Sequence, residues 1–118
     1  MIHVEFSELV GKTIVKITGD EEHLKIVCET GEVYFMYHEQ DCCESVEIED
    51  VNGDLDNLIG YPILLAEEVT QEGEEDKYGT QSWTFYKLAT IKEHVTIRWL
   101  GESNGYYSES VRFTKLEK

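Results

Sequence analysis

The chain has 118 residues, 41% of them hydrophobic and 11% aromatic, which is the composition of a folded globular protein. This length supports one hydrophobic core, so we expect a single domain over residues 1–118. The formal net charge is −15, and a charge of that sign repels nucleic-acid backbones, so we expect no direct nucleic-acid binding.

The sequence has no feature of a membrane or secreted protein. No apolar run approaches the roughly 18–20 residues that cross a bilayer. The first residues, Met1 to Glu5, have neither the basic start nor the apolar core of a signal peptide. We therefore expect a soluble protein that stays in the cytoplasm, with no membrane partner.

The first part of the chain predicts one short helix and four strands. Residues 6–11 resemble one or two helical turns that end at Gly11, the usual C-terminal stop. Apolar and polar residues then alternate over 13–18, 24–28, 33–38 and 46–49, which is the period of a half-buried strand.

The second part predicts the same order of elements. Asp54 can cap helical turns over 55–59, which end at Gly60. Strands are predicted over 63–70, 82–90, 95–100 and 110–116, with an exposed acidic loop over 71–81. Four aromatic residues within these strands are expected in the core, namely Trp83, Phe85, Trp99 and Phe113. The expected fold is mainly β (α+β), an antiparallel sheet of about eight strands with two short helices.

Two local matches indicate an internal repeat. Residues 6–14 share a pattern with residues 55–63, and Glu44-Ser45-Val46 matches Glu109-Ser110-Val111. We expect two similar halves, 1–51 and 52–118, each a short helix plus four strands, with chance similarity as the alternative. In such a duplication the turns before the two Glu-Ser-Val matches would occupy equivalent positions.

The negative charge is concentrated in one segment. Residues 39–76 contain fourteen acidic residues and no Lys or Arg, whereas the rest of the chain has eleven acidic and ten basic residues. Two explanations stay open: the solubility of a small acidic protein, or a surface that attracts basic partners.

The turn after the third predicted strand contains His38, Asp41, Cys42, Cys43 and Glu44. These are zinc-binding residue types, but neighbouring side chains on an extended segment point to opposite faces. No second Cys or His pair completes a set of four ligands, so we expect no metal and no other cofactor.

The three cysteines are Cys28, Cys42 and Cys43. Adjacent cysteines rarely bond to each other, so we expect free thiols in a reducing cytoplasm. A catalytic cysteine here would need a base such as His38 or His94, and the surrounding acidic residues oppose thiolate formation.

The second polar turn contains Glu102, Asn104 and Gly105, and Asn-Gly is typical of tight hairpins. Tyr106 and Tyr107 follow it. An outward Tyr at this position either contacts a partner or covers the end of the sheet, and the sequence leaves both open.

The sequence is similar to a family of small, uncharacterised proteins encoded by bacteriophages and related mobile elements. The segments that carry the resemblance are 38–46, 53–55, 58–60, 62–63, 66–68, 83–87 and 101–111. The resemblance implies a phage accessory protein in the cytoplasm of a bacterial host cell. It implies no activity and no site residue.

Our first functional hypothesis is a non-enzymatic protein that blocks a host or anti-phage defence protein through an acidic, nucleic-acid-mimicking face. The partner would have a basic surface, as CRISPR-type and other nucleic-acid-binding proteins do, and a homodimer stays open. The predicted partner-binding residues are Glu39, Asp41, Glu44, Glu72, Glu74, Glu75, Asp76, Tyr106 and Tyr107.

Two alternatives belong to other classes. One is a small-molecule or nucleotide-sequestering protein with a site between the two polar turns. Its predicted ligand-binding residues are His38, Cys42, Cys43, Glu102 and Asn104, with Tyr106 and Tyr107 beside them. The other is a Cys/His- or metal-dependent enzyme.

Overall fold

The structure, a computed structural model, describes residues 1–73 and 79–117, and β-strands dominate it. The strands are β1 (Ile2–His3), β2 (Ile14–Gly19), β3 (His23–Cys28), β4 (Val33–Tyr37), β5 (Ser45–Asn52), β6 (Leu65–Glu72), β7 (Thr80–Ala89), β8 (His94–Ser103) and β9 (Arg112–Lys115). The mainly β, antiparallel prediction is confirmed. The strands β2 to β9 coincide with the eight predicted ones, and only β1 was not predicted.

The strands form two sheets instead of the single sheet that the sequence predicts. One sheet has the order β1-β9-β4-β3-β2 and the other has the order β5-β8-β7-β6, with antiparallel neighbours throughout. The meander β2-β3-β4 is extended by β9, and the meander β6-β7-β8 is extended by β5. The strand that follows each meander therefore belongs to the opposite sheet.

The prediction of two short helices is wrong. Phe6–Leu9 and Leu55–Leu58 are four-residue 3-10 turns, too short for a ladder of α-helical hydrogen bonds. Gly11 and Gly60 follow them with positive φ angles of 89° and 91°, which turn the chain away from a helical path. Asp54 caps the second turn as predicted. In the described residues, no helix is long and apolar enough to cross a membrane.

The core contains side chains from both sheets and from the first 3-10 turn. The Phe6 ring meets Tyr86 and Phe113 edge-on, at centroid distances of 4.7 and 5.1 Å, and Tyr34 stacks on Phe113 at 5.2 Å. Since Tyr86 lies in the four-stranded sheet and Phe113 in the five-stranded sheet, this aromatic cluster joins the two sheets.

The core assignment is confirmed for Trp99 and Phe113, which are both buried. Trp83 and Phe85 are only half-buried, because they alternate along β7 with the buried Tyr86 and therefore face away from the core. The Trp83 indole N–H donates to Glu49 Oε2 at 3.2 Å on that outer face.

A reciprocal pair of hydrogen bonds joins the segments that follow the two 3-10 turns. The N–H of Gly11 donates to the carbonyl of Ile63 at 2.8 Å, and the N–H of Gly60 donates to the carbonyl of Ile14 at 3.0 Å. Positions related by the predicted repeat thus exchange partners, as residues do across a twofold axis. Division into halves 1–51 and 52–118 stays a prediction, which this bonding and the matching strand orders support.

The predicted loop over 71–81 is shorter in the structure. The strand β6 extends to Glu72, β7 begins at Thr80, and the N–H of Gly73 donates to the carbonyl of Gln81 at 2.8 Å. The ladder continues past the predicted strand ends because polar residues, too, pair through their backbone groups. The remainder of that prediction, 74–78, lies outside the described residues.

Candidate binding surface

The two polar turns meet in the structure. We call residues 38–44 the cysteine turn and residues 104–111 the tyrosine turn. His38 Nδ1 donates to the carbonyl oxygen of Ser110 at 2.6 Å, although the two residues lie in different turns. Since the His38 side chain is almost completely buried, this contact lies beneath the surface that the turns share.

The cysteine turn is built around a buried carboxylate. Glu44 Oε2 lies 2.8 Å from His38 Nε2, and the backbone N–H groups of Asp41 and Cys42 donate to the same carboxylate at 3.0 and 2.8 Å. Both nitrogens of the His38 ring therefore lie within hydrogen-bond distance of an oxygen atom. The His38 hydrogen bond outweighs burial and, with these backbone donors, lowers the pKa of Glu44 to about 2.

The tyrosine turn contains a comparable carboxylate. Glu109 accepts hydrogen bonds from the hydroxyls of Thr80, Ser82 and Ser103. Burial raises the pKa of Glu109, but these three donors together lower it by more, so the net shift is downward. Gly101 allows the close approach, since a Cβ there would lie 2.7 Å from Glu109 Cβ.

The Glu-Ser-Val match therefore marks two inward-facing carboxylates. Glu44 was predicted to bind a partner, yet it is 4% exposed and directs its oxygens at its own turn. Glu39 and Asp41, predicted beside it, are exposed. The exposed acids of the cysteine turn are thus Glu39 and Asp41, whereas the Glu44 carboxylate binds backbone groups of its own turn.

A cavity of about 290 Å³ lies between the two turns. His38, Glu39 and Asp41 line it from one side, and Ser108, Ser110 and Arg112 from the other. Among the described residues that line it, Arg112 is the only Lys or Arg. Its Nη2 lies 2.7 Å from Glu39 Oε2, with both side chains at least half exposed. The cavity is polar and carries more negative than positive charge.

A second cavity, of about 230 Å³, lies on the other side of the tyrosine turn. Glu68, Thr70 and Glu72 of β6 line it together with Ser108 and Ser110, which also line the first cavity. Burial and the neighbouring Glu5 carboxylate raise the pKa of Glu68, with His3 opposing them. The segment 108–110 thus separates two acidic cavities.

The expectation of free thiols in the cysteine turn is wrong. The Sγ atoms of Cys42 and Cys43 are joined in a disulfide between adjacent residues, at 2.09 Å. Both residues are exposed in the turn, which brings the two side chains to the same side. Cys28 is a buried free thiol whose pKa is raised by burial. Within the described ranges, no group of three or more His, Cys, Asp or Glu residues is arranged to hold a metal ion.

The tip of the tyrosine turn is exposed. Tyr106 is 83% exposed and meets the half-buried Tyr107 edge-on, with ring centroids 5.0 Å apart. Asn104 Oδ1 accepts the N–H of Tyr106 at 2.9 Å and so shapes the tip, and Glu102 is exposed on β8. Of the two tyrosines predicted to bind a partner, Tyr106 is therefore the more exposed, and its role stays a prediction.

The remaining predicted residues belong to the acidic stretch after β6. Glu72 is exposed at the end of β6. Glu74, Glu75 and Asp76 lie outside the described residues. The predicted site residues did not include Glu68, Ser108 or Arg112. The acidic run around Glu68 and the position of Arg112 just after the tyrosine turn are the sequence signals that point to two of them.

These features define an acidic, two-sheet antiparallel β protein whose polar turns meet at one surface. A family model described as "Domain of unknown function (DUF7448)" matches residues 7–113, so the chain belongs to that family. No curated protein and no solved structure matches the chain.

Proposed function

We propose that this protein is a non-enzymatic interaction protein that binds and blocks a protein with a basic surface. The proposed target is a host or anti-phage defence protein, CRISPR-type or otherwise nucleic-acid-binding, in the cytoplasm of a phage-infected bacterium. The observation that carries the proposal is that acids from two separate stretches of the chain flank one segment, 108–110.

The charge on this surface supports the proposal. Glu39 and Asp41 line one cavity, and Glu68 and Glu72 line the other. Among the described residues lining the two cavities, Arg112 is the only Lys or Arg, and Glu39 neutralises it. Carboxylates grouped in this way generate a negative potential that attracts a basic protein and speeds its association.

The same chemistry supports competition with nucleic acid. Arg and Lys side chains that bind phosphates also bind carboxylates, and Arg does so with two parallel hydrogen bonds. A protein that occupies such side chains on a defence protein would exclude the nucleic acid that they normally hold. The resemblance to phage-encoded proteins supports this setting.

A pull-down from host lysate at low and high salt, followed by mass spectrometry, tests the proposal. We expect a basic protein to be retained at low salt and lost at high salt, because salt screens the attraction between exposed charges. Nucleic acid bound by that protein should be displaced by our protein in a competition assay. The proposal would be contradicted if no basic protein were retained, or if the retained protein bound equally well at low and high salt.

A matched pair of variants assigns the interaction to this surface. The variant Glu39→Gln, Asp41→Asn, Glu68→Gln, Glu72→Gln removes four exposed acids beside the cavities. The control variant Glu21→Gln, Glu22→Gln, Glu29→Gln, Glu117→Gln removes four exposed acids from other parts of the surface. We expect isothermal titration to show a loss of affinity of at least tenfold in the first variant only. Equal losses in both would mean that net charge, not this surface, determines binding.

The cavity between the turns favours a second candidate, a protein that sequesters a nucleotide-like molecule. Its volume of about 290 Å³ is near the lower end of ligand pockets, and Arg112 at its side can pair with a phosphate. A thermal-shift screen of nucleotides tests this. A hit should be weakened by Arg112→Gln and unaffected by Arg98→Gln, and a screen in which no nucleotide raises the melting temperature would contradict it.

A further inference from the structure

The strand β6 forms an edge of the four-stranded sheet, and it differs from the other sheet edges. The edge strand β1 has only two residues, and β2 and β5 are each interrupted by a register shift. The edge β5 is also partly covered, because the N–H of Ile48 donates to the carbonyl of Glu21 at 2.7 Å. The strand β6 pairs with β7 over eight residues without a shift, so its edge is long and regular. The 3-10 turn Phe6–Leu9 contacts β6, and residues 11–13 pair with residues 62–63 just before it, so this part of the chain lies beside the start of the strand.

The register shows which backbone groups of β6 point away from the sheet. Gly73 donates its N–H to the carbonyl of Gln81 directly opposite, and such bonded pairs recur at every second residue of an antiparallel ladder. The odd-numbered residues of β6 therefore bond to β7. Glu68, Thr70 and Glu72 direct their N–H and C=O groups outward, and among the described residues no backbone hydrogen bond ends on these outward groups.

The side chains of this edge differ between the two faces of the sheet. On the inner face, Glu68, Thr70 and Glu72 line the cavity of about 230 Å³. On the outer face, Val69 is 42% exposed and lies directly opposite Phe85. On a strand placed beside β6, alternate side chains would therefore lie next to Glu68, Thr70 and Glu72. The side chains between them would lie next to Val69, which has Glu67 and Gln71 as its neighbours on the outer face.

We propose that the β6 edge receives an extended segment of a partner protein in which Lys or Arg alternates with apolar residues. The segment adds a strand to the four-stranded sheet, bonds to the outward N–H and C=O groups of Glu68, Thr70 and Glu72, and directs its basic side chains into the acidic cavity. This inference rests on the proposed function, since it specifies how the basic partner is recognised.

The charge of β6 excludes a second copy of this chain as the occupant. Pairing of two β6 strands would place the acids Glu67, Glu68 and Glu72 of one copy beside those of the other. Like charges on neighbouring strands are destabilising, whereas opposite charges contribute favourably. The edge is therefore complementary to a basic strand and not to itself.

A synthetic peptide of alternating Lys and Val, with the eight-residue length of β6, tests the inference. We expect isothermal titration to detect binding, and amide hydrogen exchange to show protection at Glu68, Thr70 and Glu72. A control peptide of alternating Lys and Pro has the same charge but cannot pair as a strand, and it should bind at least tenfold more weakly. Equal binding of the two peptides, or protection elsewhere, would overturn strand addition.

Two variants locate the site. Thr70→Pro removes an outward N–H and no bond to β7, so the sheet should persist while the affinity falls at least tenfold. Glu68→Lys with Glu72→Lys leaves the backbone intact and should reverse the preference, so that a Glu/Val peptide binds better than the Lys/Val peptide. The inference would be overturned if the Lys/Val peptide bound this variant with the same affinity as it binds the original protein.

The two proposals fail separately. If a basic protein is captured in a salt-dependent way but no Lys/Val peptide binds, strand addition is wrong and the acidic-surface function stands. If the peptide binds at β6 but no basic protein is captured and no nucleic acid is displaced, the edge is a peptide site and the proposed blocking function is wrong.

Discussion

His38 and Ser110 are joined by a hydrogen bond of 2.6 Å from Nδ1 to the backbone carbonyl. The other nitrogen of the same ring lies 2.8 Å from Glu44 Oε2. One buried imidazole therefore holds the cysteine turn and the tyrosine turn together. The shape of the cavity between the turns depends on this ring.

Replacing His38 tests this dependence. His38→Ala removes one donor from the buried Glu44 carboxylate, which keeps the N–H groups of Asp41 and Cys42, and it removes the side-chain donor to the Ser110 carbonyl. We therefore expect the midpoint of thermal unfolding to fall by several degrees. Backbone NMR shifts of residues 108–112 should also change. The exposed His23 provides the control, since His23→Ala should alter neither. An unchanged midpoint in His38→Ala would show that the turns meet without this ring.

The carboxylate of Glu44 should make stability depend on pH in the acid range. Its folded-state pKa of about 2 is below the usual value, so its contribution is present above about 4.5 and is lost as pH falls toward 2. In Glu44→Gln we expect unfolding free energy, measured by urea titration, to decline less over that range. The exposed Glu29→Gln serves as the control, and parallel curves for Glu44→Gln and the original protein would contradict the assignment.

Two buried tyrosines should respond oppositely to loss of the hydroxyl. Tyr86 is fully buried, and its hydroxyl has no hydrogen-bond partner among the described residues, so Tyr86→Phe should leave stability unchanged or raise it by about 1 kcal/mol. The Tyr34 hydroxyl donates to Glu8 Oε2 at 2.6 Å, so Tyr34→Phe should cost about 1–2 kcal/mol. Urea unfolding of both variants measures this, and a clear loss in Tyr86→Phe would indicate an additional partner for its hydroxyl.

Gly101 should tolerate no larger residue while Glu109 lies against it. A Cβ at Gly101 would lie 2.7 Å from Glu109 Cβ and 2.9 Å from the Glu109 carbonyl oxygen, so we expect Gly101→Ala to cost about 1–3 kcal/mol. Combining it with Glu109→Gly removes one of the two clashes. The double variant should therefore be more stable than the sum of the single losses predicts, and additive losses would show that the close approach is unimportant.

Alternation of apolar and polar residues predicted β2 to β9 because side chains on a strand alternate between faces, whatever the strand's partners are. The same rule was misapplied to Trp83 and Phe85: their spacing shows that they share a face, but only the neighbouring Tyr86 shows which face is the core. The helices over residues 6–11 and 55–59 were predicted from capping signals, which do not distinguish one 3-10 turn from an α-helix.

The candidate site was predicted in part. The two turns were selected from their matching Glu-Ser-Val ends, and the structure brings them together through His38. That Glu44 faces inward was not predictable, because the groups that bind it include His38, six residues away on the other side of the turn. The edge position of β6 was not predicted, because the sequence does not record which strand lacks a neighbour.

The sequence by itself determined the antiparallel strands, the polar turns between them and the concentration of acids in residues 39–76, since these follow from local pattern and composition. Only the tertiary structure decided that β5 and β9 exchange sheets, that β6 is left at an edge and that the two turns share one surface. These features depend on contacts between residues far apart in the chain. Alternation records which side of a strand is apolar, not which strand lies beside it.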